Sequence, residues 1–355
     1  MQNYFNKTFK IGNTTIGEGS PAYFIADIGA NFDGSLEKAK KLAYEVKQAG
    51  GNVAKIQSFK ANKIVSGRGF SSMKLKGVHG SWGRPVDEIF KEVEFPREWH
   101  KEFFDYCREI GITPSSSPYD YEAVDLMDSI GTEFYKIGSG DITWLEMVEY
   151  VAKKGKPIIL ATGASTMDEV REAVEIIKKT GNKDLAILQC ITNYPSKIES
   201  ANINVLNAYR DEFGTVLGYS DHAPGDVVVL GAIALGAKVI EKHFTLNKND
   251  KGPDHPHSME PDEFARMIER ARQLESAMGT SKKEVVDEES ETVIVQRRGL
   301  TATKDLNKGV ILKEVDMEEL RPALGIYPKY KRELYGKRLQ KGLKAGDPIR
   351  WEDIA

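Results

Sequence analysis

The sequence predicts an α/β fold, a (β/α)8 TIM barrel followed by a small C-terminal module. Three observations carry this reading. Eight short, β-branched apolar runs recur with helix-like stretches between them over roughly 250 residues, the usual extent of such a barrel. Gly111, Gly131, Gly155, Gly181 and Gly236 each stand between a helix and the next strand, where a left-handed cap residue is wanted. No Gly-rich dinucleotide turn follows the first strand, which counts against a doubly wound open sheet.

In chain order, Thr8–Ile11 and Thr14–Ile16 flank Gly12-Asn13 and read as a hairpin plugging the barrel bottom. Strands are expected at 23–28, 52–57, 112–116, 134–137, 157–161, 185–189, 215–219 and 238–243. Helices are expected at 36–48, 97–110, 121–130, 167–179, 226–235 and 261–278. From Gly279 to Glu291 the chain is rich in Ser, Lys and Glu, and reads as a linker. After it the pattern changes to short strands at 298–302, 310–312, 317–320 and 348–351, separated by turns. The expected division is a barrel with its hairpin over 1–278, a linker over 279–294 and a C-terminal domain over 295–355.

Composition excludes several classes of function. The 355 residues carry 50 Lys+Arg against 53 Asp+Glu, a net charge of −3 that gives no electrostatic reason for nucleic-acid binding. No apolar run approaches the roughly 20 residues of a membrane span. The N-terminus lacks the basic start and apolar core of a signal peptide. Two cysteines, Cys107 and Cys190, are too few for a disulfide framework, so a reducing cytoplasm is the expected compartment.

Barrel chemistry sits at the C-terminal ends of the strands. Here those ends carry Asp27 and Asn31, Lys55 and Gln57, Ser115–Ser117, Lys136 and Ser139, Thr162 and Ser165. They continue with Gln189 and Thr192, Ser220 and His222, then Glu241, Lys242 and His243. A rim filled only for stability would be Val, Ile and Leu; this one requires a polar ligand. His222 and His243 end consecutive strands, so their imidazoles are either a pair within metal-ligand reach or hydrogen-bonded core histidines. Asp221 and Glu241 stand beside them as possible orienters. Asp254, His255 and His257 form another polar cluster, in a loop. A lysine pointing into a barrel must meet an anion, and Lys55 and Lys136 both lie in strands. With the hydroxyls of Ser115–Ser117 and Ser139 they describe a phosphate or carboxylate cradle.

The whole chain resembles the sialic acid synthase (N-acetylneuraminate synthase) family, which includes the legionaminic and pseudaminic acid synthases. The matching segments include Phe24-Ile25-Ala26-Asp27-Ile28-Gly29, Lys55-Ile56-Gln57, Ser116-Ser117-Pro118-Tyr119-Asp120 and Tyr135-Lys136-Ile137-Gly138-Ser139-Gly140. Gly218-Tyr219-Ser220-Asp221-His222, Glu241-Lys242-His243-Phe244 and Gly252-Pro253-Asp254-His255 follow in the right order. The C-terminal module looks like that family's antifreeze-like (SAF, β-clip) domain, with Arg297-Arg298, Arg321-Pro322 and Gly325-Ile326. The resemblance implies a transferase that condenses phosphoenolpyruvate with the open-chain aldehyde of an N-acetylmannosamine-like sugar, releasing phosphate and forming a nine-carbon 2-keto acid. It implies His222 and His243 as ligands of a divalent metal, Mn2+ or Mg2+. Lys55, Ser117, Lys136, Ser139, Thr192 and Ser220 would hold phosphoenolpyruvate. Gln57, Tyr194 and Asp254 would contact the N-acyl hexosamine, and Arg321 would reach it from the partner subunit of a domain-swapped homodimer.

The chain departs from the family pattern in four places. Asp27 and Asp141 stand where the family usually has Glu, Phe32 where it has His, and Thr192 where it has Asn or Ser. Asp27, Asp141, Lys55 and Lys136 remain the expected catalytic set, with Asp27 guiding water or its proton. Two carboxylates shortened by a methylene imply either a site contracted around a different aldehyde or impaired catalysis, and the kept metal and phosphate residues favour an altered sugar. The alternatives are a synthase acting on a different or phosphorylated aldose, or a non-catalytic sugar-binding relic.

Overall fold

The computed structural model describes residues 4–74, 80 and 82–355. The chain divides into two units, Met1–Gly279 and Thr280–Ala355. In the first, β1 (Thr8–Ile11) and β2 (Thr14–Gly17) pair as an antiparallel hairpin. The barrel strands are β3 (Tyr23–Asp27), β4 (Val53–Ser58), β5 (Thr113–Pro118), β6 (Tyr135–Ile137), β7 (Ile158–Ala161), β8 (Leu185–Cys190), β9 (Val216–Asp221) and β10 (Val239–His243). They form one parallel sheet in the order β5-β4-β3-β10-β9-β8-β7-β6, and its two end strands lie against one another.

Each strand's two faces enter different cores, because successive side chains point to opposite sides. Phe24, Ala26, Ala54, Ile56, Tyr135, Ile187 and Ile240 face outward and pack on the helices. Tyr23, Ile25, Val53, Phe134, Ile159, Ala186, Leu188, Val216 and Val239 face inward. Phe9, Ile11 and Ile16 of the hairpin join this inner cluster, so the hairpin closes the end of the barrel where the strands begin. The expected glycines do cap helices in positive φ, from +70° at Gly155 to +98° at Gly236.

Helix starts follow their capping chemistry. Ser35 accepts from the Lys38 amide before Leu36–Gln48, and Thr166 and Glu169 form a capping box before Met167–Lys179. Pro261–Met278 opens with Pro at its first turn and a Glu260/Glu263 box. Among the described residues, no helix is long and apolar enough to cross a membrane.

The second unit has its own core of Leu300, Ala302, Leu306, Leu312, Met317, Ile326, Leu334, Leu339, Leu343 and Ile349. Its antiparallel pair is β11 (Gly299–Ala302) and β12 (Met317–Leu320). The strands expected at 310–312 and 348–351 are instead single bridges, Ile311 with Arg338 and Thr301 with Pro348. The stretch read as linker is partly helical, with a 3-10 turn at Asp287–Glu289 leading into the helix Ser290–Gln296.

Candidate active site at the barrel rim

The inward positions at the C-terminal strand ends change from apolar to polar or charged within two to four residues. Ile25 gives way to Asp27, Val53 to Lys55 and Gln57, Phe134 to Lys136, and Val239 to Glu241 and His243. These side chains meet in a buried ion-pair ring. The Lys55 ammonium donates to Asp27 Oδ2 at 2.7 Å and to Ser117 Oγ at 3.3 Å, and lies 3.8 Å from Glu241 Oε2. Glu241 Oε1 accepts from Ser220 Oγ at 3.0 Å and lies 3.4 Å from Lys136 Nζ. Gln57 Nε2 donates to Asp27 Oδ2 at 3.1 Å. Asp27, Lys55, Lys136 and Glu241 are each at most 5 % exposed, so every charge relies on its partner.

Burial alone would raise the Asp27 carboxyl, but Lys55 and then His243 hold it below the usual carboxylate range. Glu241 is kept low in the same way, against its burial, by Lys136 and Lys55. Lys55 stays above the usual lysine range, against its burial, because Asp27 and Glu241 face it. Asp141 behaves differently. It lies just beyond β6, where burial outweighs Lys136 and pushes it up to about 6, and its Oδ2 finds no hydrogen-bond partner among the described residues.

Beside the ring stands a group of aromatic rings. His222 and His243 have centroids 5.4 Å apart, His243 and His257 4.8 Å. Tyr194 packs on His222 at 4.3 Å and on His257 at 5.1 Å. His222 Nδ1 pairs with the Ile191 carbonyl at 2.8 Å, which leaves Nε2 to point elsewhere. Burial lowers both His222 and His243, favouring the neutral imidazole that metals bind. His243, Asp254 and His257 lie close enough together to hold a metal ion, and so do Asp33, Asp250 and His255. Asp254 is fixed by the Ala30 amide, which donates to its Oδ2 at 2.9 Å. Gly29 makes that approach possible: it adopts φ +52°, and a Cβ there would lie 2.5 Å from the same oxygen.

A cavity of about 270 Å³ opens between these groups, lined on one side by Gln57, Thr192, Tyr194, Asp254 and His257. Its other wall is apolar, with Phe59, Ile64, Ile89, Phe90 and Val93. Thr192 also approaches Ser139 across Gly163, whose amide donates to Ser139 Oγ at 2.9 Å.

The structure thus gathers Asp27, Lys55, Gln57, Ser117, Lys136, Ser139, Asp141, Thr192, Tyr194, Ser220, His222, His243 and Asp254 at one rim. Arg321 belongs to the second unit, where it is exposed. Several rim residues named from sequence face outward and serve the scaffold. Lys242 pairs with Asp221 at 2.6 Å, so Asp221 is no orienter of His222. Thr162 bonds to Tyr209, Gln189 donates to the Ala201 carbonyl, and Ser116 bonds to Ser58. Phe32 packs edge-on against Phe95 in the core. Glu241 is a partner of the two lysines rather than an orienter of the histidines. The strand alternation Val239, Glu241, His243 was the available signal for it. Nothing in the sequence singled out the apolar wall, whose residues come from separate segments.

Comparison with known proteins agrees with this architecture. The NeuB family matches residues 42–283 and the SAF domain residues 297–355. A pseudaminic acid synthase of Campylobacter jejuni is 35% identical over 333 residues, 94% of this chain and 96% of that protein. An N,N'-diacetyllegionaminic acid synthase of the same species is 36% identical over 329 residues, 92% of this chain and 98% of that one. The crystal structure of an N-acetylneuraminic acid synthetase from Leptospira borgpetersenii superposes with a TM-score of 0.73 at 27% identity, covering 81% of this chain and 96% of that one. The chain belongs to the NeuB family and ends in a SAF domain.

Proposed function

We propose that this protein condenses phosphoenolpyruvate with the open-chain aldehyde of an N-acyl hexosamine, releasing phosphate and forming a nine-carbon 2-keto acid. The observation that carries the reading is the pair of buried lysines, Lys55 and Lys136, at the rim of a barrel whose relatives are nonulosonate synthases. A buried ammonium at that position is made for an anion. Lys55 and Lys136 take the carboxylate and phosphate of the substrate, helped by the hydroxyls of Ser117, Ser139, Thr192 and Ser220. Gln57, Tyr194 and Asp254 receive the sugar, and the apolar wall of Phe59, Ile89, Phe90 and Val93 suits methyl groups on it.

A divalent metal, Mn2+ or Mg2+, fits His222 and His243, because one nitrogen of His222 is already committed to a carbonyl and Nδ1 of buried His243 has no hydrogen-bond partner among the described residues. When bound, such an ion supplies Lewis acidity toward the aldehyde oxygen. The carbon–carbon bond forms between C3 of the enol phosphate and the aldehyde carbon, and positive character develops at C2. Lys55 and Lys136 keep the anionic groups in place without needing to give up a proton. Asp27, ionised and 3.1 Å from Gln57 Nε2, orients the water that adds to C2 and guides one of its protons to the former aldehyde oxygen, which becomes a hydroxyl. The C2–O bond to phosphate then breaks as the ketone forms, and the remaining proton of the added water leaves with the phosphate. Arg321 of a partner subunit completes the sugar site in a domain-swapped homodimer.

The test is phosphate release from phosphoenolpyruvate with Mn2+ and a panel of acceptors: N-acetylmannosamine, acetamido-6-deoxy hexoses and phosphorylated aldoses. Turnover with an N-acyl hexosamine is expected. Turnover with phosphorylated aldoses alone, or with none, overturns the reading.

A further inference from the structure

Two loop histidines, His255 and His257, lie in the same 3-10 turn yet are placed very differently. His255 uses both ring nitrogens: Nδ1 pairs with Thr245 Oγ1 at 2.7 Å and Nε2 with Asp33 at 2.9 Å. Its neighbouring acids are also occupied, since Lys38 bridges Asp33 and Asp250. That group of potential ligands is a closed hydrogen-bonded network.

His257 is the opposite case. Its side chain is 3 % exposed, and among the described residues Nε2 has no hydrogen-bond partner. The nearest acid is Asp254, whose Oδ1 lies 3.9 Å away, too far for a hydrogen bond. His243, 6 % exposed, likewise leaves Nδ1 without a hydrogen-bond partner among the described residues, with Asp254 Oδ2 3.7 Å away. Two neighbouring imidazoles, each with an unpaired nitrogen, lose the hydration of those nitrogens with nothing in return.

Ring geometry says what would satisfy them. Imidazoles sharing a metal at bonds of ~2.1 Å, spaced at octahedral or tetrahedral angles, hold their centroids roughly 4.5–5.3 Å apart. His243 and His257, at 4.8 Å, fall inside that range, and His222 and His243, at 5.4 Å, lie just beyond it; His243, Asp254 and His257 also offer ligand atoms within 4.8 Å of one another. Asp254 is held on the same side by the Ala30 amide. We propose that His257 is a further protein ligand of the divalent metal, joining His222 and His243, with the Asp254 carboxylate close by. The inference rests on the metal reading of His222 and His243 given above.

The experiment is titration of the full-length, metal-stripped protein with Mn2+ alone, followed by electron paramagnetic resonance. Co2+ alone is added in parallel and its visible absorption recorded. Wild type, His222→Ala, His257→Ala and His257→Phe are compared; the phenylalanine keeps the ring packing on Tyr194 and His243 while removing the nitrogen. Both His257 variants are expected to weaken Mn2+ binding at least about tenfold and to change the Co2+ band, because a nitrogen donor is lost. Near-native Mn2+ affinity and an unchanged Co2+ spectrum in His257→Phe overturn the proposal. If instead wild type binds no metal, or His222→Ala binds as tightly as wild type, the underlying metal reading fails.

Discussion

Lys55 and Lys136 separate two kinds of substrate effect. Replacing either by Met removes an ammonium expected to meet phosphoenolpyruvate and leaves Asp27 or Glu241 facing one cation fewer. Loss of one partner of a buried charge pair costs about 2–5 kcal/mol, so kcat/KM for phosphoenolpyruvate should fall at least about thirty-fold. The Michaelis constant for the sugar should change far less, and steady-state kinetics with each substrate varied in turn reads the difference. Asp141 gives a pH prediction. Its carboxyl is raised in the folded protein to about 6 from an ordinary 3.8, so the folded state binds the extra proton between those values. Stability therefore falls as pH rises from about 4 through about 6, and above that the penalty is constant at about 3 kcal/mol. Asp141→Asn should melt higher than wild type at pH 8, with the gain vanishing near pH 4; equal melting temperatures at both would contradict the burial argument. Reading the rim from sequence succeeded where the charged residue lies an even number of steps from an inward apolar one. It failed for Lys242, Asp221, Thr162 and Gln189, because a polar residue near a strand end looks alike whichever face it takes until its partner is seen.

Elements with their own start and stop chemistry were legible to the residue. The helices Leu36–Gln48, Met167–Lys179 and Pro261–Met278 begin and end where the sequence places them, each opened by a cap its own residues supply. Segments whose pairing is made by distant partners were not. The expected strands at 310–312 and 348–351 reduce to single bridges because the second unit is built from turns around a small core. The loops after the barrel strands show how elements set chemistry. Gly163, at the end of β7, has ordinary backbone angles, yet a Cβ there would overlap Thr192 Oγ1 and lie 3.0 Å from Ser139 Oγ. Gly163→Ala should therefore fold normally but displace both hydroxyls. Since about 1 Å of misplacement can cost roughly a hundredfold, the Michaelis constant for phosphoenolpyruvate should rise at least about tenfold. Gly140→Ala, where a Cβ meets nothing within 4 Å among the described residues, is the matching control and should stay near wild type.

For the whole molecule, the division into two units sets the question of which barrel each SAF domain serves. If Arg321 completes the site of the partner subunit, Arg321→Ala and His222→Ala proteins are each inactive but carry complementary halves. Mixing them in equal amounts, with subunit exchange confirmed, should restore about a quarter of wild-type activity, since half the dimers are mixed and each holds one intact site. No recovery would mean that the domain serves its own barrel or none.

The buried ring at the rim has a consequence for how the ligands arrive. Lys55 and Lys136 contribute two positive charges, and Asp27 and Glu241 take both away, so the ring as it stands is electrically balanced. A multiply charged anion entering it brings an excess that the lysines alone cannot absorb, and a dication beside it brings the opposite excess. Each ligand then relieves the cost of the other, and thermodynamic reciprocity requires the two effects to be equal. Saturating phosphoenolpyruvate should tighten Mn2+ binding by some factor, and saturating Mn2+ should tighten phosphoenolpyruvate by that same factor, about tenfold or more. Calorimetric titrations run in both orders measure it, and binding of each ligand indifferent to the other would mean that the balance is struck by groups outside the ring.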